Sequence, residues 1–130
     1  MRKVVGEMGD RGNIVVVDSF DPDSKVYLYT HWSGSQLPQI VWNAMRTPKA
    51  RNRWNDESYL ARIVFNHLQG DDRGELGFGI SARIGDGTDQ VVEINCHTQR
   101  ITIQDQSWSF QEFVDLPAAP SFVEVDYWDE

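Results

Sequence analysis

The sequence predicts an α+β fold: an antiparallel sheet of about six strands in the order βββ-αα-βββ-α, with the helices packed on one face. Three observations lead there. Runs of period-two hydrophobicity form two blocks, two amphipathic stretches sit together between the blocks, and the separators inside each block are short and rich in turn formers. Strands and helices that come in blocks, not in alternation, favour antiparallel pairing over a doubly wound parallel sheet. A chain of 130 residues suits one core. The reading is therefore one domain over residues 1–116, followed by a proline-containing, acidic and aromatic arm over 117–130.

The first block comprises Lys3–Met8, Asn13–Phe20 and Lys25–Trp32. Gly9-Asp10-Arg11-Gly12 and Asp21-Pro22-Asp23-Ser24 separate them, and connections this short imply hairpins. In the third run Val26, Leu28, Thr30 and Trp32 share one face, while Tyr27, Tyr29 and His31 share the other. Both faces are bulky.

Two helices follow. Leu37, Ile40, Val41, Ala44 and Met45 recur at helical spacing over Gln36–Arg46, Pro38 falls in the tolerant first turn, and Thr47-Pro48 stops the helix. Asn55 or Asp56 caps a second helix running to about Gln69, striped by Tyr59, Leu60, Ile63, Val64 and Leu68 and ended by Gly70.

The second strand block opens with Leu76, Phe78, Ile80, Ala82 and Ile84 alternating with Gly77, Gly79, Ser81 and Arg83, which predicts one buried face and one nearly bare face. Gln90–Cys96 and Arg100–Gln104 read as the remaining strands, after a hairpin signal at Gly85-Asp86-Gly87. Ser109 caps a short last helix over Phe110–Asp115. Beyond Pro117 and Pro120, the segment Ser121–Glu130 carries Phe122, Val123, Val125, Tyr127 and Trp128. So many apolar groups predict that the arm docks, on its own domain or on a neighbouring copy.

The net charge of −8 argues against direct nucleic-acid binding, which needs a surplus of Lys and Arg over a face. Five of these charges belong to Asp115, Glu124, Asp126, Asp129 and Glu130, with no base among residues 115–130. The single cysteine, Cys96, fits a reducing compartment, and neither a membrane span nor a signal peptide is legible. A cytoplasmic protein without membrane association is expected.

The stretch from Lys25 to Arg53 carries most of the functional signal. Ser33, Gly34 and Ser35 stand at a helix start, where free backbone N–H groups and the helix dipole suit a phosphate or carboxylate. Lys49, Arg51 and Arg53 supply positive charge at the other end. That helix would separate its ends by ~15 Å, so one site built from both would need two protomers. In the plain alternative Ser35 only caps the helix and the cations answer its dipole. Trp32 and Trp54 offer stacking surfaces, and the bare strand face near Arg83 could take a flat ring; packing of the tryptophans in core or interface, and of the bare face against a helix or another subunit, is the commoner reason for such features.

Catalytic signatures are missing. His31, His67 and His97 match no zinc spacing, and no CxxC, HExxH, P-loop, GxGxxG or G-x-S-x-G occurs. No cofactor and no metal is expected. A hydrolase using His31 or His97 would require those side chains to converge with a carboxylate in one cleft.

On YLYTHWSG followed by Leu37-Pro38, RWNDESYLAR and GELGFGIS, the chain resembles a family of small uncharacterised proteins of bacteriophages, prophages and bacteria, over roughly residues 25–105. The resemblance implies no activity, but it suggests a host-directed, counter-defence setting. The leading expectation is a non-enzymatic, homo-oligomeric binding protein that captures a small anionic, nucleotide-type ligand. Its rival is an acidic inhibitor that docks the C-terminal arm on a host protein.

Overall fold

The computed structural model describes residues 9–123. These form an α+β fold with a six-stranded sheet: β1 (Gly12–Val17), β2 (Lys25–Thr30), β3 (Phe78–Ser81), β4 (Val91–Asn95), β5 (Arg100–Ile103) and β6 (Gln106–Ser109). Four helices accompany it: α1 (Leu37–Met45), α2 (Pro48–Arg51), α3 (Glu57–Gln69) and α4 (Phe110–Val114). A 3-10 turn at Gly34–Gln36 leads into α1.

The sheet order is β3-β2-β1-β4-β5-β6. It is mixed, not antiparallel throughout: β1 and β4 run parallel, and the other four pairings are antiparallel. This corrects the expected topology, and the cause lies in the second block. β3 pairs with β2 at one edge, so the chain must cross the sheet to place β4 beside β1. Residues 82–90 cross on the face away from the helices, where the Asn13 amide donates to the Gly85 and Asp86 carbonyls at 3.2 and 3.0 Å and accepts from the Gly85 N–H at 2.9 Å. Asn13 is thereby buried without an unmatched group.

The element order also differs from βββ-αα-βββ-α. The expected strand Lys3–Met8 lies outside the described residues. The described chain instead runs ββ-ααα-ββββ-α, because Thr47 caps a separate short α2 and Gln104-Asp105 turn the chain into β6. Gln106-Ser-Trp-Ser has no apolar alternation, so nothing local announces a strand. Its Trp108 nonetheless stands opposite Ile101.

One apolar row explains the packing. Ile14 faces Leu28 on one neighbour and Val92 on the other; Val16 faces Ile94, which faces Ile101. This row meets Leu37, Val41, Ala44 and Met45 of α1, Leu60, Val64 and Leu68 of α3, and Phe110 and Phe113 of α4. Each fully buried aliphatic side chain contributes roughly 1.5–3 kcal/mol. The helix stripes read from the sequence are therefore the ones that bury.

The run Leu76–Ile84 departs from expectation. Only Phe78–Ser81 forms a strand, Leu76 is 85% exposed and Ile80 63% exposed, although these belong to the face expected inside. β3 is an edge strand, and α3 packs over β1 and β2. Of the arm, Phe122 packs on the core and Val123 exchanges two hydrogen bonds with the Gln104 side chain, so residues up to 123 dock on their own domain.

Candidate functional site

The Ser33–Ser35 turn does bind an anion, and the anion is Asp10. Gly34 donates its N–H to the Asp10 carbonyl at 2.7 Å, and Ser35 donates its N–H to the Asp10 carboxylate oxygens at 3.0 and 3.1 Å. The Ser35 hydroxyl donates to the same carboxylate, and the Gln90 side-chain amide adds a bond at 2.8 Å. Ser33 is satisfied differently, its N–H going to the Thr30 hydroxyl at 3.0 Å. All three backbone donors are thus engaged. Gly34 is required here, since any Cβ would run into the Arg11 carbonyl. Asp10 is buried, so an outside anion would have to displace a desolvated carboxylate from a complete donor set. Ser35 also makes no side-chain cap to α1, whereas Lys49 and Arg51 do stand in the last turn of a helix, α2.

The basic segment lies at the far end of α1. Arg51 donates through Nε to the Arg46 carbonyl at 3.4 Å; Arg53 stands 3.6 Å from Asp56 and 4.6 Å above the Tyr59 ring. A nine-residue helix separates these cations from Ser33–Ser35 by roughly 13 Å, so one chain does not bring them together. Trp54 packs edge-on against Phe110 at 5.4 Å, and its carbonyl accepts from Gln99, so it lies half-buried against the core. Trp32 is 59% exposed, tilted on His31 at 4.2 Å and lying over Gly77. Gly77 has φ +97, and an added Cβ would come within 2.8 Å of the Trp32 Nε1. Arg83 is exposed beyond the end of β3, and Gly79 and Ser81 face the Tyr27 and Tyr29 side of the sheet, away from the helices.

The histidines do not converge. His31 follows the strand end paired with Gly12, whereas His97 follows Cys96 beside Val17, where its Nδ1 lies 3.0 Å from the Ser19 carbonyl. The length of β1, roughly 17 Å, stands between them. Among the described residues no group of three or more His, Cys, Asp or Glu side chains could hold a metal ion. The Cys96 thiol is pushed up to about 12, first by burial and then by the negative charges of Glu57, Asp18 and Asp56. It remains a protonated, unreactive thiol at neutral pH. No helix among the described residues is long and apolar enough to cross a membrane.

A groove that the sequence reading missed opens between α3 and the β2–β3 edge. Its volume is about 400 Å³, and Val26, Leu28, Ala61, Phe65 and Ile80 line it. Glu57 and Arg62 stand at its rim. Small Ala61 on the α3 surface leaves the space, and Ile80 on the uncovered strand forms its outer wall. The available signal was the position of β3: an apolar alternation is buried only if a helix reaches over it. Among the described residues no strand pairs with the outer side of β3.

No family model, no curated protein and no solved structure matches the chain.

Proposed function

We propose that this chain is a non-enzymatic binding protein that takes an extended segment of a partner protein along the free edge of β3 and seats an apolar side chain in the groove beside it. The observation that carries this reading is Ile80, exposed on a sheet edge that no strand among the described residues pairs with, and lining an apolar groove. Edge strands are ordinarily guarded by charge, proline or a bulge against pairing with other chains. Phe78-Gly-Ile-Ser carries no charge and no proline. An added strand would gain affinity from main-chain hydrogen bonds and specificity from the groove.

The arrangement of reactive groups supports a binding role over catalysis. Ser35 is tied to Asp10, Cys96 keeps its proton, and His31 and His97 sit at opposite sheet ends. Capture of a nucleotide-type anion at Ser33–Ser35 has less support than the edge, because the donors there already serve Asp10.

Selection from a displayed library of short random peptides tests the reading. Peptides enriched on the wild-type protein and lost on Ile80→Glu are the expected result. Absence of enrichment, or enrichment indifferent to that substitution, overturns it.

A further inference from the structure

We infer that the basic segment between α1 and α3 receives the acidic stretch of residues 124–130 from a second copy of the chain, and that two copies exchange these stretches reciprocally. The inference concerns the helix layer and does not rest on the edge-binding reading above. Arg46, Lys49, Arg51 and Arg53 follow one another closely, and all four are exposed. Their settings place them on the outer surface of the helices. Arg46 lies across α1 from the buried stripe of Leu37, Val41, Ala44 and Met45, while Lys49 and Arg51 flank the buried Ala50 of α2, which packs against both α1 and α3. Arg53 lies over Tyr59, itself exposed on α3.

Two aromatic rings fix this surface. The Arg46 guanidinium stands 4.0 Å from the Trp42 ring centroid, and that of Arg53 stands 4.6 Å from the Tyr59 centroid. Groups held this way keep their charge and have less freedom left to lose on binding. Carboxylates are scarce around them. Arg53 stands 3.6 Å from Asp56, whereas Arg46, Lys49 and Arg51 form no ion pair among the described residues. In a chain of net charge −8, cations gathered at one place make a local field of the opposite sign.

Charge and reach together select the occupant. Residues 124–130 lie outside the described residues; their sequence, Glu-Val-Asp-Tyr-Trp-Asp-Glu, holds four acids, no base and two aromatic side chains suited to stacking on arginine. The described chain reaches Val123, which the Gln104 side chain holds at the β5–β6 turn. The opposite end of β5 is tied through Gln99 to Trp54, next to Arg53. A contact within one chain would have to run back along β5, roughly 13 Å, and around a helix layer roughly 10 Å deep, whereas residues 124–130 extend at most about 25 Å. Only the last acids would then come within range of Arg46 and Arg51, while a second copy presents all four. At long range two bodies of −8 repel, but within a Debye length of about 8–10 Å the local charges decide. Reciprocal exchange closes the pair about a two-fold axis.

Sedimentation of the full chain at low salt is expected to show a dimer that dissociates as salt is added. A chain with Arg46→Glu and Arg51→Glu, and a chain with Asp126→Lys and Asp129→Lys, should each be monomeric. An equimolar mixture of the two should dimerise again, because the reversed charges match across the mixed pair. A synthetic peptide of residues 124–130 should bind the wild type about 10-fold more tightly than the chain with both arginines reversed. Arg46→Gln with Arg51→Gln should weaken the dimer in the same direction, and reads out the surface if the reversals disturb folding. A wild type that stays monomeric, a dimer indifferent to the arginine changes, or a mixture that does not reassemble overturns the inference. A monomer whose affinity for the peptide rises when residues 124–130 are deleted assigns the stretch to its own chain and overturns the second copy.

Discussion

Asp10 and Ser35, separated by 25 positions, are joined by three hydrogen bonds from the serine to one carboxylate, two from its N–H and one from its hydroxyl. The pair ties the segment before β1 to the 3-10 turn before α1, and the Gln90 side chain, just ahead of β4, donates to the Oδ1 of the same carboxylate. An anion-binding turn has become an internal clasp. Its negative charge lies near the start of a helix, where the dipole favours it.

Breaking this clasp is expected to be costly. Asp10→Ala removes the shared partner of the Ser35 N–H and hydroxyl and one of the two partners of the Gln90 amide in a part-buried site, and a loss of about 1–3 kcal/mol is expected from urea unfolding, against about 1 kcal/mol for Ser35→Ala. A double-mutant cycle between the two should yield a coupling well above 0.5 kcal/mol. Additive losses would show that the clasp carries no energy of its own.

Cys96 makes the stability sensitive to alkali. Its folded value of about 12 lies above the ordinary 9.0, so between those values the unfolded chain releases a proton that the folded chain retains. The unfolded state then binds fewer protons, and stability falls as pH rises, by about 1 kcal/mol per pH unit from this group. Urea midpoints at pH 9 and pH 10.5 should drop further for the wild type than for Cys96→Ala. Equal drops would remove the thiol as the cause.

The last helix depends on a reciprocal cap. The Ser109 hydroxyl accepts from the Glu112 N–H at 3.0 Å while the Glu112 carboxylate accepts from the Ser109 N–H at 2.8 Å. Ser109→Ala is expected to cost about 1 kcal/mol. The backbone hydrogen bond from Ser109 is the main reason the Glu112 carboxyl titrates below its ordinary 4.5. Its contribution is present above that value and disappears as pH falls through the lowered one. Ser109→Ala keeps that backbone bond and loses only the smaller contribution of the Ser109 hydroxyl, so side-chain carbon shifts of Glu112 should titrate at slightly lower pH in the wild type than in the variant.

Ile80 should be dispensable for folding. An edge residue 63% exposed has little to lose, so Ile80→Glu and Ile80→Lys are expected to shift stability by no more than about 0.5 kcal/mol while raising solubility. Gly77→Ala provides the contrast. It combines φ +97 with a clash against Trp32 and should cost about 1–2 kcal/mol. Thermal unfolding of the three variants separates edge exposure from backbone constraint.

What was legible in the sequence is what neighbours along the chain decide. Asp56 caps α3 and Leu60, Val64 and Leu68 stripe it as the helical period requires; Ser109 caps α4; β2, β4 and β5 lie where period-two patterns place them. The α+β class follows from that grouping. The direction of the β1–β4 pairing was not legible, because no local signal states on which side of a sheet a distant strand will insert. The Gln106–Ser109 strand escaped notice because its pairing partner supplies what its own alternation lacks.

The same division governs the sites. The residues at Ser33–Ser35 announced, by themselves, a turn suited to negative charge, since donors at a helix start depend only on local backbone. That Asp10 supplies negative charge there is a matter of long-range position, since the segment before β1 folds against the turn. The groove beside β3 belongs wholly to tertiary structure. Ile80 and Ala61 are unremarkable in sequence, and they line one groove only because α3 packs over β1 and β2 and leaves the edge strand β3 uncovered.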